Sequence, residues 1–192
     1  MPFRAFISAD FGRFPRIEAL SEALRDSGGD LKLVDLELMH STLKFLGDTD
    51  EALVPEIVRV MERAVEGIPP VAVTIRSTGA FPGPRRINVV WVGLEGAEPL
   101  GRIASLLNRE LDALGFRAEN RRWEPHVTVA RVKSGRNLDR IRAAIDAFSN
   151  EEFGGVVVDR IRLKRSVLRP EGPEYATVAE APLRVASSPG IA

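Results

Sequence analysis

The 192-residue chain contains no cysteine, which excludes a disulfide framework, a thiolate metal site and a cysteine nucleophile, and suits a reducing compartment. It also lacks a surplus of either charge, 27 lysines and arginines standing against 27 aspartates and glutamates. Proteins that coat long nucleic acids or anionic membranes need a basic excess, so the balance points to a small ligand or to the end of a larger one. No apolar run approaches the roughly 20 residues that span a bilayer, and the opening "MPFRAFISADFG" lacks the apolar core of a signal peptide. There is no P-loop signature and no dinucleotide-binding glycine fingerprint. The carboxylates are scattered, and two histidines alone make a poor zinc set. A cytoplasmic monomer with no cofactor, no metal and no membrane attachment is the expectation.

What is present is a hydrophobic fraction of 44%, enough for a core at this length. Apolar alternation predicts strands at 3 to 8, 37 to 46, 71 to 78, 87 to 94, 122 to 132, 156 to 165 and 174 to 181. Helical spacing predicts helices at 14 to 25, 51 to 66, 98 to 114 and 138 to 149, the second burying Val54, Ile57, Val58 and Met61. An offset of 86 residues carries His40 onto His126, Thr42 onto Thr128, Phe6 onto Val92, Ile17 onto Ile103 and Ile75 onto Ile161. The order β-α-β-α-β therefore occurs twice, over about 1–86 and 87–172, and 1–184 is taken as a single bilobal domain with a tail at 185–192. Lobes related by an approximate two-fold axis bring equivalent side chains to one cleft.

His40 and His126 are the only histidines, and each stands two residues before a threonine in a β-like run, "MHSTLKFLG" and "PHVTVARV". In a strand, residues i and i+2 share a face, so each histidine projects with its threonine while Leu43, Phe45, Val127 and Val129 turn toward a core. With six threonines in the chain, a chosen position carries one about 3% of the time and two such positions about 0.1%, before β-propensity raises it. Histidine has the unperturbed pKa nearest neutrality and the threonine hydroxyl donates to an anionic oxygen without adding charge. Two imidazoles, one giving and one taking a proton, with two hydroxyls on the non-bridging oxygens, suit a phosphate ester.

At these residues the chain resembles the RNA 2′,3′-cyclic phosphodiesterase (2′-5′ RNA ligase) family of the two-histidine phosphoesterase superfamily. The resemblance runs through "FRAFISADF", "LMHSTLKFLGD", "TGAFPGPRRINVVWVGL", "WEPHVTVARV" and "IRLKRSVLRPEGPEYATVAEAPL". It implies an α+β fold in which two antiparallel sheets line a central cleft with helices outside. It implies metal-independent hydrolysis of a terminal 2′,3′-cyclic phosphate to a 2′-phosphate. His40 and His126 become the proton-transfer pair, with His126 taken as base and His40 as acid although pseudo-symmetry leaves the roles interchangeable. Thr42 and Thr128 become the phosphate clamp. RNA 3′ ends with a cyclic phosphate, tRNA halves among them, are the implied partners, with 2′-5′ ligation as the related reverse reaction. Alternatives are a cyclic phosphodiesterase acting on a small nucleotide and a catalytically silent RNA-end binder.

Arg131 occupies the family's usual place after the second motif, suited to bidentate phosphate contact. Strict alternation turns it away from His126, so it needs a bend in the strand. Phe81, Arg85 and Arg86 in the turn-rich "FPGPRR" are candidates for stacking on a base and steering the RNA end; the alternative is an ordinary hairpin with Phe81 capping the core. Arg121 and Arg122 are placed at the cleft rim, Trp123 at its edge and Trp91 in the core. Tyr175 belongs to the last strand, its reach toward substrate left open, and Lys44 is read as a solvated strand-end charge.

Overall fold

Hydrophobic periodicity resolves into strands and helices over residues 1–170 and 172–185, which the computed structural model describes. In chain order they are β1 (Phe3–Asp10), α1 (Pro15–Asp26), β2 (Leu31–Leu33), β3 (His40–Thr49), α2 (Val54–Val65), β4 (Val71–Gly83), β5 (Arg86–Glu95), α3 (Glu98–Glu110), β6 (His126–Val132), α4 (Leu138–Ala147), β7 (Glu152–Val158), β8 (Arg160–Leu168) and β9 (Pro173–Pro182). Two sheets form, ordered β3-β1-β8-β9 and β2-β6-β5-β4-β7, and every strand pairing within them is antiparallel. Among the described residues no helix is long and apolar enough to cross a membrane.

The helices are amphipathic and lie against the sheets. α2 buries Ile57, Val60, Met61, Ala64 and Val65, a stripe at i, i+3, i+4, i+7 and i+8; Val60 takes the buried place expected of Val58, which is half-buried. Each large side chain of this stripe contributes about 1.5–3 kcal/mol of burial. α2 and α3 pack on each other, reaching β9 and β3 respectively, while α1 and α4 pack together over β2, β4 and β7. Ala5, Ile7 and Ala9 of β1, and Val90 and Val92 of β5, are buried. α1 ends where Ser27 Oγ donates to the Leu24 carbonyl at 2.6 Å and Gly28 takes a φ of +64° that a side chain would resist.

Three features depart from the sequence expectation. The run 156 to 165 is two strands: β7 pairs with β4, and after Asp159 the chain enters the other sheet as β8 beside β1. The buried positions Val158, Ile161 and Leu163 break the period of two at this crossing. Residues 122–125 are irregular before β6, because Trp123 folds back to donate its indole N–H to the Thr42 carbonyl at 2.9 Å and Pro125 has no N–H for a ladder. The ranges 1–86 and 87–172 do not each build one sheet, since β4 lies beside β5 and β8 beside β1. Of the expected tail, all but Val185 lies outside the described residues.

Candidate active site

Both histidine strands carry the same irregularity. Ile7 pairs with Lys44 and Ser8 with Thr42, which leaves Leu43 as the extra residue of a β-bulge. Val90 pairs with Ala130 and Trp91 with Thr128, which leaves Val129 extra. Consecutive residues of β1 or β5 face opposite sides, so each bulge reverses the alternation of its strand. Beyond the bulges Lys44 turns toward the core, Phe45 turns out, and Arg131 returns to the side of Thr128. The bend that Arg131 requires is thus present.

The bulge in β3 overturns two readings. Lys44 is 2% exposed rather than solvated, donating to Asn108 Oδ1 at 2.9 Å and the Arg117 carbonyl at 2.7 Å, with Glu119 Oε1 at 3.8 Å. Phe45 is 58% exposed rather than in the core and lines the cleft. The pairings also set Phe6 opposite Phe45 and Val89 opposite Arg131. Phe6 therefore corresponds to Val89, three residues before the Val92 of the constant offset.

His40 and His126 open β3 and β6, which approach each other across the molecule, and both line a cleft of about 2250 Å³. His40 Nδ1 lies 2.7 Å from the Leu38 carbonyl and His126 Nδ1 2.8 Å from the Glu124 carbonyl. A carbonyl only accepts, so Nδ1 carries the proton on both rings and Nε2 is the free nitrogen. Tyr175 meets His40 edge-on with centroids 5.3 Å apart, and Phe81 meets His126 edge-on at 4.9 Å. Burial pushes both imidazoles below their ordinary pKa of 6.5; the carbonyl bonds, with Asp10 at His40 and Glu124 at His126, oppose it, and the Arg131 charge adds to the lowering at both. Burial pushes the Tyr175 hydroxyl up, against the charges of Arg131 and Arg4.

The cleft gathers His40, Thr42, Phe81, His126, Thr128 and Arg131, and also the rim residues Arg121, Arg122 and Trp123. It does not gather Arg85 and Arg86, which are exposed where the β4–β5 hairpin turns and line none of it. Trp91 is not a core residue: it shares the side of Thr128 and lies 5.4 Å from the Phe81 ring. Among the described residues, eight that line the cleft are lysine or arginine and five are aspartate or glutamate, so a neutral chain presents a locally basic surface there. Phe45, which lines the cleft, and Trp91, beside Phe81, are the aromatics that sequence reasoning misplaced. The adjacent buried pair Val129 and Ala130, two apolar residues in succession, is the signal that would have revealed the bulge.

The sequence model of the 2′-5′ RNA ligase superfamily matches residues 14–167. The chain is 38% identical over 177 residues to an RNA 2′,3′-cyclic phosphodiesterase of Methanothermobacter thermautotrophicus, spanning 91% of this chain and 96% of that protein. It is 33% identical over 179 residues to an RNA 2′,3′-cyclic phosphodiesterase of Thermotoga maritima, spanning 92% and 94%. The crystal structure of E. coli LigT complexed with 3′-AMP has a TM-score of 0.69 to this chain, covering 95% of this chain and 99% of that one at 20% identity. That last likeness is one of fold.

Proposed function

The chain belongs to the 2′-5′ RNA ligase superfamily, and on that footing we propose that it hydrolyses the terminal 2′,3′-cyclic phosphate of RNA to a 2′-phosphate with two histidines as acid and base. The observation that carries this reading is the pair of imidazoles, each anchored through Nδ1 to a carbonyl two residues upstream, in one cleft with Arg131. In the working state one ring is neutral and the other protonated. The neutral Nε2 takes a proton from water as its oxygen bonds to phosphorus. The protonated Nε2 gives its proton to the 3′ oxygen as the P–O3′ bond breaks. Thr42, Thr128 and Arg131 hold the non-bridging oxygens where charge collects.

The size of the cleft favours RNA over a small cyclic nucleotide, since sites for small molecules run to about 300–1,000 Å³. The test is chromatography of the products from a short RNA ending in a 2′,3′-cyclic phosphate, incubated with the protein in chelator. A 2′-phosphate product at an undiminished rate is expected. A 3′-phosphate product would reverse the leaving group, and activity restored only by a divalent ion would overturn the acid–base mechanism. Faster turnover of a cyclic mononucleotide than of the oligonucleotide would move the substrate to the smaller class.

Two further results follow from the geometry. Because burial and Arg131 both hold the histidines below 6.5, kcat/KM should trace a bell centred on the acid side of that value. Bound phosphate stabilises imidazolium, so the bell for kcat should lie at higher pH. Arg131→Gln removes a charge that lowers both rings and should move the kcat/KM bell to higher pH while reducing kcat on the order of 100-fold. Phe45 offers an exposed ring for stacking on a base, worth about 1–3 kcal/mol. Phe45→Ala should therefore raise KM roughly five- to hundredfold for an oligonucleotide, and unchanged steady-state kinetics would remove it from the RNA path.

A further inference from the structure

At one end of the cleft two cations stand side by side. Cross-strand pairing sets Lys32 of β2 directly opposite Arg131 of β6, so both side chains leave the same face, and both line the cleft. Like charges in that position repel. Among the described residues neither forms an ion pair. Two carboxylates that follow close by in the chain are engaged elsewhere: Asp35 accepts from the Glu37 N–H at 3.0 Å, and Glu174 lies 3.2 Å from Arg169 Nε. The pair of cations is therefore left for an anion that the protein does not itself supply.

The order of groups along the sheet says which anion. β6 starts at His126, and β2 pairs with its far end, Leu33 with Ala130 and Leu31 with Val132. The cleft face thus presents His126, Thr128, Arg131 and then Lys32, at the edge of the five-stranded sheet. The facing sheet meets that edge through the turn between β8 and β9, where Arg169 and Gly172 exchange backbone hydrogen bonds of 2.9 and 3.1 Å. A Cβ on Gly172 would stand 3.8 Å from Lys32 Nζ, so the ammonium sits where the rims of both sheets come together. An RNA end carries a phosphate on each side of its last ribose, the cyclic one and the 5′ phosphodiester. Adjacent strands lie about 4.8 Å apart, and the long lysine stem lets a point charge reach onward from there. With Arg131 on the cyclic phosphate, Lys32 is placed for the next one.

We infer that Lys32 holds the internucleotide phosphate one ribose upstream of the cyclic end, so that the RNA leaves the cleft between β2 and the β8–β9 turn. The inference rests on the proposed hydrolysis and deepens it, because a second phosphate contact separates an RNA end from a cyclic mononucleotide. Lysine suits the place: a mobile point charge grips a phosphate without demanding the fixed bidentate geometry that arginine gives the reacting group. The contact reads no base, and it selects for chain rather than for sequence.

The experiment compares kcat/KM for cytidine 2′,3′-cyclic phosphate, the same compound carrying a 5′-phosphate, and a dinucleotide ending in a cyclic phosphate. A charge-assisted contact to the second phosphate should favour the last two over the first by at least about tenfold. Lys32→Gln should bring that advantage close to one, and Lys32→Arg, which keeps the charge, should retain most of it. Lys32 is exposed, so neither change disturbs the core. On an oligonucleotide, Lys32→Gln should also make the slope of log kcat/KM against log salt shallower by about 0.7, the value of one phosphate contact on a single strand. No advantage in the wild type, an advantage that survives Lys32→Gln, or an unchanged salt slope overturns the subsite. An advantage confined to the 5′-phosphate monoester overturns the internucleotide assignment and gives the place to a small nucleotide with two phosphates. Absence of hydrolysis from all three substrates refutes the underlying reaction, a result distinct from turnover without the advantage.

Discussion

His40→Ala and His126→Ala are each expected to lower turnover of a cyclic-phosphate RNA by roughly 10²–10⁴-fold, the usual contribution of a positioned acid or base. The double variant should lose little more than the worse single one, because residues acting as one unit are not additive. Both single variants should still bind the cyclic-ended RNA, which separates loss of proton transfer from loss of the site. The pH profiles of the residual rates carry the assignment. A base fails at low pH, when it is protonated, and an acid fails at high pH, when it has lost its proton. With His126 as base, His126→Ala should lose the low-pH limb and His40→Ala the high-pH limb. The opposite pattern would exchange the roles, and full activity in either variant would remove that histidine from the reaction.

The second large effect is on stability. Lys44, 2% exposed, holds Asn108 of α3 and the carbonyl of Arg117, at the start of the irregular segment that leads to His126. Breaking a buried charge interaction costs about 3–5 kcal/mol when one partner is removed. Here Glu119 is half-exposed and water reaches it, so Lys44→Ala should cost on the order of 3 kcal/mol, at the lower end. Lys44→Met keeps much of the packing but leaves the carbonyl acceptor unpaired, about 1–3 kcal/mol. Urea unfolding measures both. A loss below about 0.5 kcal/mol, the range of ordinary surface changes, would show that the contacts of Lys44 are not maintained in solution. Because Trp123 of the same segment bonds to Thr42 in the other motif, the alanine variant should also lose activity below its melting temperature.

Much of this architecture is legible in the residues. The helical stripes of α2 and α3 and the shared His-x-Thr pattern depend on local periodicity, which a sequence carries directly. What escaped depends on pairing. Lys44, Phe45 and Arg131 were each assigned a face by counting twos from a histidine. One extra residue at Leu43, and another at Val129, reversed the count, and only the partner strand reveals where it falls. Lys44 gave no warning because a core-facing lysine does not look apolar. Trp91 looked like core because its neighbours Val90 and Val92 are core. β2 is three residues long, too short for periodicity to register. The division of 156 to 165 into β7 and β8 follows from a choice between two sheets that no local pattern specifies.

That division also bears on how the molecule can move. The chain passes between the sheets from β1 to β2, from β2 to β3, from β3 to β4 and from β7 to β8, the last through the single residue Asp159. A clamshell needs a hinge, a few backbone torsions on which two rigid halves swing. Here the halves are laced together by several passes of chain, one of them too short to flex without breaking the ladders on either side. The opening should therefore keep nearly the same width whether or not a ligand fills it.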